Sequence, residues 1–169
     1  MKKTLLLFLL SVSTFLITVA QDTFSIVAID TLTGEVGSAG ASCVYIAGQG
    51  VMILSDVHPG VGAIHSQAYY LSANQNYARE LMNQGLSPQQ IIDSLVANDA
   101  QNNPNRRQYG IVDFRDGIVR SAAYTGPNCD DYKNHITGPN YSIQGNILLG
   151  QQILDSMEAR FLRAEGELA

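Results

Sequence analysis

The sequence is poor in the residues that build metal centres and disulfide frameworks. It contains two cysteines, Cys43 and Cys129, and three histidines, His58, His65 and His135. The histidines are scattered along the chain, and none has the carboxylate-rich or thiol-rich spacing of a metal site around it. Two cysteines are too few for a disulfide framework in a chain of 169 residues. We therefore expect no metal site and no cofactor.

Several common signatures of catalysis and binding are also missing. There is no GxSxG nucleophile elbow, no P-loop and no glycine-rich dinucleotide fingerprint. There is no basic run, and acidic residues outnumber basic ones by 15 to 10. Nucleic acids and anionic lipids bind through clusters of Lys and Arg, so this chain is a poor match for either partner.

The first twenty residues have the composition of a secretory signal. Lys2 and Lys3 precede an apolar run that ends on the small residue Ala20. Serines and threonines interrupt the run, which makes it a poor match to a membrane-spanning helix of about 20 apolar residues. We therefore expect a signal peptide over residues 1–20, a single domain over 21–169, and a secreted or periplasmic location. No later segment is apolar enough to span a bilayer, so no membrane contact is expected after signal removal.

The order of patterns in the mature part predicts an α+β domain with a mostly antiparallel sheet. Four β-rich runs come first, then two helices with apolar residues at helical spacing, then further strands and a last helix. The predicted strands are residues 23–29, 36–45, 50–54, 61–69, 109–114, 118–124 and 141–149, and the predicted helices are 74–84, one beginning at Pro88, and one after Gly150. Turns are predicted at 30–35 and 56–60, and an irregular stretch at 125–140.

The state of the cysteines is open at this stage. An oxidising compartment permits a Cys43–Cys129 disulfide. Cys43 lies in an apolar, strand-like run, where a buried free thiol is equally expected.

The histidines receive different interpretations. His58 falls in a predicted turn and is expected to be an exposed loop residue, whereas His65 falls inside a strand and is expected to be a hydrogen-bonded core residue. His135 lies in the same predicted loop as Cys129 and is the best functional candidate of the three. Both residues of that loop either line a pocket or only fix the loop.

The mature N-terminus carries the remaining candidate nucleophile. Thr23 opens the first strand, two residues past the predicted cleavage position. A terminal threonine can act as a nucleophile with its own α-amine as the general base, since that amine has an ordinary pKa of about 7.7–8.0. The competing interpretation is that Thr23 is simply a β-forming residue at the start of a strand.

Six segments then support a family resemblance. They are TFSIVAID (23–30), TGEVGSAGAS (33–42), GVGAIHSQAY (60–69), QYGIVDFRDG (108–117), AYTGPNC (123–129) and QGNILLG (144–150). Through them the chain resembles the family known as domain of unknown function 1028 (DUF1028), which is similar to the N-terminal nucleophile (Ntn) hydrolases. The resemblance implies an α-β-β-α four-layer sandwich. Most members of the wider superfamily cleave amide bonds with a terminal Thr, Ser or Cys, which implies Thr23 as nucleophile and a small amide as substrate.

The chain departs from the family pattern at both ends. Many relatives begin Met-Thr-Phe-Ser, whereas here Gln21 and Asp22 precede Thr23. A free Thr23 amine therefore requires a peptidase, or attack of the Thr23 hydroxyl on the preceding carbonyl. Relatives also continue beyond the helix that matches residues 150–162, so a C-terminally truncated form of the sandwich is expected.

Supporting roles are assigned to polar residues inside the matching segments. The side chain of Asn146 and the amide of Gly145 are candidate donors to an oxyanion, although local amide bonds in a turn explain them equally well. Ser42 closes the second strand and is expected beside Thr23, as a catalytic group that orients the nucleophile. Gln67 is a polar residue in an apolar strand and needs a partner if it is buried.

Three functional hypotheses follow. The first is an exported Ntn-type amidohydrolase, with Gln67, His135 and Gln144 binding the substrate and with Asp30, Ser42 or His135 positioning the Thr23 amine. The second is a non-catalytic secreted binding module on the same sandwich. The third is a structural domain of a longer secreted polypeptide. The sequence leaves the oligomeric state open, a homo-oligomer included.

Overall fold

The described residues form a fold of the α+β class, with two antiparallel sheets and three α-helices. The computed structural model describes residues 22–43, 51, 54–166 and 168. The predicted signal segment, residues 1–20, lies outside the described residues. The strands are β1 (Thr23–Ile29), β2 (Val36–Ser42), β3 (Ser55–His58), β4 (Gly62–Gln67), β5 (Gln108–Arg115), β6 (Ile118–Thr125), β7 (Asn134–Thr137) and β8 (Tyr141–Asn146), and the helices are α1 (Ser72–Asn83), α2 (Pro88–Ala97) and α3 (Gln152–Phe161).

Each sheet has four strands among the described residues. Sheet A has the order β2–β1–β8–β7, and sheet B has the order β3–β4–β5–β6. All neighbouring strands are antiparallel. Strand β1 is central in sheet A, so each of its residues faces one partner on β2 and most face another on β8.

The turn between β1 and β2 fixes their register. The Asp30 carboxylate accepts hydrogen bonds from the backbone amides of Leu32 (2.7 Å) and Thr33 (3.1 Å). This is the side-chain-to-backbone bonding that favours Asp in turns. Gly34 has φ of +76°, a conformation that glycine adopts without steric cost. The turn places the first residue of β1, Thr23, opposite the last residue of β2, Ser42.

Apolar side chains hold the layers together. Val27, Ile29, Ala63 and Val112 are buried between the sheets. Helices α1 and α2 cover the other face of sheet B, where Met82 and other apolar side chains of both helices pack on β4 and β5. Helix α3 covers the other face of sheet A through residues such as Leu154, Met157 and Phe161. The described chain therefore stacks helices, sheet, sheet and helix.

Most of the predicted elements are present. Strand β1 has the predicted bounds, and α2 begins with the expected Ser87 cap. This cap is a capping box, in which the Ser87 side chain accepts from the Gln90 amide and the Gln90 side chain accepts from the Ser87 amide.

Two predictions of local structure were wrong. The segment Ser55–His58 is a strand paired with β4, where a turn from residue 56 was predicted, and the turn follows at Pro59. The short strand β7 lies within the stretch predicted to be irregular. In both cases pairing with a neighbouring strand stabilises an extended segment that has weak local preference. The strand predicted at 50–54 falls mostly outside the described residues.

No helix in the described part of the chain is long and apolar enough to cross a membrane.

Candidate functional site at the polar end of the sandwich

Thr23 lies between two polar residues on the neighbouring strands. It pairs with Ser42 of β2 on one side and with Asn146 of β8 on the other. Residues directly opposite each other in antiparallel strands project to the same face, so the three side chains share one face of sheet A. The Thr23 Oγ1 atom is 2.7 Å from Ser42 Oγ. Thr23 is 5% exposed and Asn146 is 4% exposed, whereas Ser42 is partly exposed.

The face of β1 that carries Thr23 is polar at one end of the strand and apolar at the other. Its inward side chains are polar at Thr23 and Ser25 and apolar at Val27 and Ile29. The strands around β1 also carry buried polar side chains at this end. The buried polar groups are therefore concentrated at one end of the space between the sheets. We call this group the inter-sheet polar layer: Thr23, Ser25, His65, Gln67, Gln108, Ser142, Gln144 and Asn146.

Gln108 at the start of β5 is the centre of this layer. Its Nε2 lies within hydrogen-bonding distance of three acceptors, which share its two hydrogens: the backbone carbonyls of Gly145 (2.9 Å) and Asn134 (3.1 Å) and Thr125 Oγ1 (2.9 Å). Its Oε1 accepts from Gln67 Nε2 (2.7 Å) and from Asn146 Nδ2 (3.0 Å). A carbonyl oxygen can only accept, so the two carbonyls fix which end of the Gln108 amide is the donor.

The hydrogen bonds continue in one direction through the layer. The Ser25 hydroxyl donates to Gln67 Oε1 (2.7 Å), and Gln144 Nε2 donates to Ser25 Oγ (2.6 Å). The Ser142 hydroxyl in turn donates to Gln144 Oε1 (2.9 Å). Each of these residues has the partners that a buried polar group requires. The layer is therefore an ordered network that joins the two sheets.

A glycine makes room for this network. Gly110 lies on the inward face of β5, two residues after Gln108, and a Cβ added there would overlap the amide of Gln144. The absence of a side chain lets Gln144 of sheet A lie against the backbone of sheet B.

His65 is the buried basic residue of the layer. It is 1% exposed, and burial lowers the pKa of its imidazole to about 4. Its Nδ1 is 3.5 Å from the donor Gln144 Nε2, and its Nε2 is 2.7 Å from Ser38 Oγ. Since Nδ1 faces a donor, the ring proton belongs on Nε2 and points at Ser38. The prediction of a hydrogen-bonded core histidine is confirmed.

We expect the buried neutral His65 to make the protein acid-sensitive. Because its folded-state pKa lies near 4 rather than 6.5, its contribution to stability is present above pH 6.5 and is lost as pH falls toward 4. The size of this loss is about 3 kcal/mol. Urea unfolding between pH 4 and pH 7 measures it, and His65→Gln should remove this part of the pH dependence. A constant difference between the two proteins across that range would contradict the assignment.

His135 is connected to the layer from its edge. It is half-buried on β7, and its Nδ1 is 2.9 Å from Thr125 Oγ1, which also accepts from Gln108. Burial lowers the pKa of His135, which favours a neutral ring. The histidine therefore reaches Asn146 only through Thr125 and Gln108.

The structure brings most of the predicted site residues together. Ser42 and Asn146 flank Thr23, and Gln67 and Gln144 belong to the same hydrogen-bonded layer. Gly145 lies in β8 opposite Phe24, and its carbonyl accepts from Gln108. These positions are compatible with the predicted roles, which remain predictions.

Two expectations about single residues were wrong. Asp30 follows the last residue of β1, seven residues from Thr23, and its carboxylate is used by the turn; it cannot position the Thr23 amine. His58 is in β3 rather than in a loop, with its side chain only 15% exposed and its Nε2 3.3 Å from Asp56 Oδ2.

Both cysteines are free thiols in this structure. Cys43 is exposed, contrary to the buried alternative, because its strand has already ended at Ser42. Cys129 is buried, and its thiol donates to the Arg107 carbonyl at 3.3 Å. Burial raises the pKa of the Cys129 thiol to about 11, so Cys129 fixes the loop and is not a nucleophile at neutral pH.

Sequence reasoning missed Gln108, Ser25 and the link through His65. Their common signal is a polar residue at alternate positions of an otherwise apolar strand, as in TFSIV and QYGIV. That spacing pointed to Gln67 but was overlooked at its partner Gln108.

The surroundings of the site set limits on its chemistry. No group of three or more His, Cys, Asp or Glu side chains in the described residues is placed to hold a metal ion. Two cavities, of about 360 and 550 Å³, share Gly37 and Ser38 and extend toward the β1–β2 turn; neither is lined by Thr23 or Asn146.

Comparison with known proteins identifies the family. A family of unknown function, DUF1028, has a model that matches residues 23–169, and the chain belongs to this family. The crystal structure of protein SPO2555 from Silicibacter pomeroyi, also a DUF1028 protein, is similar, with a TM-score of 0.75 and 24% sequence identity. The match covers 87% of this chain and 64% of that one, so this chain spans less than two thirds of its relative. At this identity the likeness shows the fold alone. No curated protein matches the sequence significantly.

Proposed function

We propose that this protein is an exported Ntn-type amidohydrolase that cleaves a small amide with Thr23 as its nucleophile. The observation that carries the proposal is the position of Thr23, at the polar end of the sandwich between Ser42 and Asn146. The stacking of helices outside two facing antiparallel sheets supports it, because Ntn hydrolases resemble this arrangement. The step from fold to activity is an analogy.

The proposed chemistry uses groups that already lie together. In the mature form the Thr23 α-amine takes the hydroxyl proton, and Oγ1 attacks the carbonyl carbon of the amide. Asn146 Nδ2 donates to the oxyanion that forms. The α-ammonium then protonates the leaving amine, and water hydrolyses the resulting ester. Ser42 Oγ, 2.7 Å from the nucleophile, holds the Thr23 hydroxyl in place.

The neutrality of the inter-sheet polar layer supports an uncharged substrate. The described residues of the inter-sheet polar layer are amides and hydroxyls, apart from His65, whose lowered pKa keeps it neutral at neutral pH. An uncharged small amide suits such a lining, because the burial of an unpaired charge there would be costly.

The proposal requires the removal of residues 1–22. Signal cleavage after Ala20 leaves Gln21 and Asp22 in front of Thr23, and Thr23 then has an amide in place of its amine. A peptidase or attack by the Thr23 hydroxyl on the Asp22 carbonyl would complete the processing.

The N-terminal residue of protein recovered from the native host tests the proposal. We expect Thr23 at the N-terminus of the exported protein, detected by intact mass and N-terminal peptide sequencing. If Gln21 begins every molecule, the α-amine mechanism is excluded.

The second candidate function is a secreted binding module that uses the same fold without catalysis. The residues in front of Thr23 and its 5% exposure favour this alternative, because an accessible nucleophile is not needed for binding. It predicts that Thr23→Ala alters neither processing nor the phenotype of the host, whereas the hydrolase requires a loss of function.

A further inference from the structure

We propose that Gln108 is the positioning residue of this site, acting through Asn146. The inference rests on the proposed function, because it assigns a role to Gln108 in the attack by Thr23. Gln108 belongs to sheet B, whereas Thr23 and Asn146 belong to sheet A. The role would make the catalytic geometry depend on how the two sheets pack.

The Gln108 amide has one favoured orientation. Its Nε2 faces the carbonyls of Gly145 and Asn134, and its Oε1 faces the amino groups of Gln67 and Asn146. Reversing the amide would set an oxygen against two carbonyls and an amino group against two amino groups. A buried network that lost four hydrogen bonds in this way would be strongly disfavoured, so one orientation is fixed.

The orientation of Asn146 follows from that of Gln108. Because Gln108 Oε1 can only accept, Asn146 must present Nδ2 rather than Oδ1 to it, at 3.0 Å. The amino group has two hydrogens, so the bond to Gln108 leaves one for a substrate oxygen. Asn146 and Thr23 are directly opposite residues that project from the same face. Gln108 thus keeps a donor, and not an acceptor, beside the nucleophile.

The role is distinct from that of an ordinary buried glutamine. Gln108 is fully buried and has five hydrogen-bonding partners, so its loss will also lower stability. A positioning role predicts an additional loss in the rate of a reaction that forms an oxyanion. It also predicts that this loss depends on the presence of Asn146.

A short alkyl β-lactone is a suitable probe for exported protein that begins at Thr23. The Thr23 oxygen forms an ester with the lactone carbonyl carbon, the ring C–O bond breaks, and the ring oxygen receives the proton taken from Thr23. The adduct has the mass of the whole lactone and is measured by intact mass spectrometry. The dependence on lactone concentration separates the maximal acylation rate from the apparent affinity.

We expect Gln108→Met to lower the maximal acylation rate by about 10- to 100-fold, somewhat less than removal of an oxyanion donor. The apparent affinity for the lactone should change little. In an Asn146→Ala background, Gln108→Met should have no further effect on the rate, because a residue acting through another gives a non-additive double mutant. Ile111→Ala in the same strand, on the face packed against the helices, controls for loss of stability alone.

The outcomes separate this inference from the proposed function. If the wild type is not acylated at Thr23, the hydrolase proposal fails, and this inference fails with it. If the wild type is acylated and Gln108→Met reacts at the same rate, only the role of Gln108 is refuted. That role is also refuted if Gln108→Met slows acylation of the Asn146→Ala protein by the same factor as it slows acylation of the wild type. It is refuted as well if Ile111→Ala slows acylation of the wild type as much as Gln108→Met does.

Discussion

Under the proposed mechanism, replacement of Thr23 by alanine will abolish acylation by the β-lactone and lower amide hydrolysis by roughly 10⁴-fold or more, because the attacking oxygen is removed. Thr23 is the first residue of β1, and its hydroxyl meets Ser42 Oγ at 2.7 Å. Intact mass spectrometry measures the acylation, and release of the amine product measures the hydrolysis.

Two variants make this result specific. Thr23→Ser keeps a hydroxyl in the same place and should remain acylated, whereas Thr31→Ala alters an exposed threonine in the β1–β2 turn and should behave as wild type. Loss of one hydrogen bond to Ser42 costs about 1 kcal/mol, so Thr23→Ala is expected to stay folded. Acylation of folded Thr23→Ala at the wild-type rate would rule out Thr23 as the nucleophile.

Replacement of Arg107 by methionine will destabilise the protein by about 3–5 kcal/mol, the usual cost of leaving one member of a buried ion pair alone. Arg107 is 3% exposed and Asp99 is 5% exposed. Arg107 Nε donates to Asp99 Oδ2 at 2.7 Å, and Arg107 Nη2 donates to Asp99 Oδ1 at 3.2 Å. The guanidinium holds the pKa of the Asp99 carboxyl well below its usual range. Urea unfolding at pH 7 measures the change.

A partly exposed ion pair of the same type provides the control, in which the Arg79 side chain is exposed and the Asp56 side chain is 12% exposed. Arg79 Nε donates to Asp56 Oδ2 at 2.9 Å, but the Arg79 side chain is 46% exposed. Arg79→Met should therefore cost less than about 1 kcal/mol. If the two arginine variants lost equal amounts of unfolding free energy, burial would not set the strength of the Asp99–Arg107 pair.

The fold was predicted from sequence where local signals and tertiary structure agree. The bounds of β1 follow from a short β-rich run, and the start of α2 follows from the Ser87-Pro88 cap. The pairing of Thr23 with Ser42 follows from a hairpin with a well-defined turn. By contrast, β3 has the sequence SDVH, which resembles a turn and becomes a strand only because β4 pairs with it.

The site was predicted only in part, because its hydrogen bonds join residues that are far apart in the sequence. The pattern QGN pointed to Gln144 and Asn146, since polar residues stood out in their segment. Their partners Ser25 and Gln108 are 119 and 38 positions away in sequence, and a single sequence contains no sign of such contacts. Asp30, one of three residues expected to position the Thr23 amine, lies beyond the far end of β1, because a seven-residue strand separates it from Thr23.

The position of the turn at residues 30–35 limits the insertions and deletions that the chain can tolerate there. Exposed loops usually accept insertions and deletions. Here, however, an insertion that moved β2 by one position would place Ala41 or Cys43 opposite Thr23 and turn Ser42 to the other face of the sheet. The length of the loop at residues 30–35 is therefore constrained by the hydroxyl of Thr23, which lies at the other end of the seven-residue strand β1 and does not contact the loop.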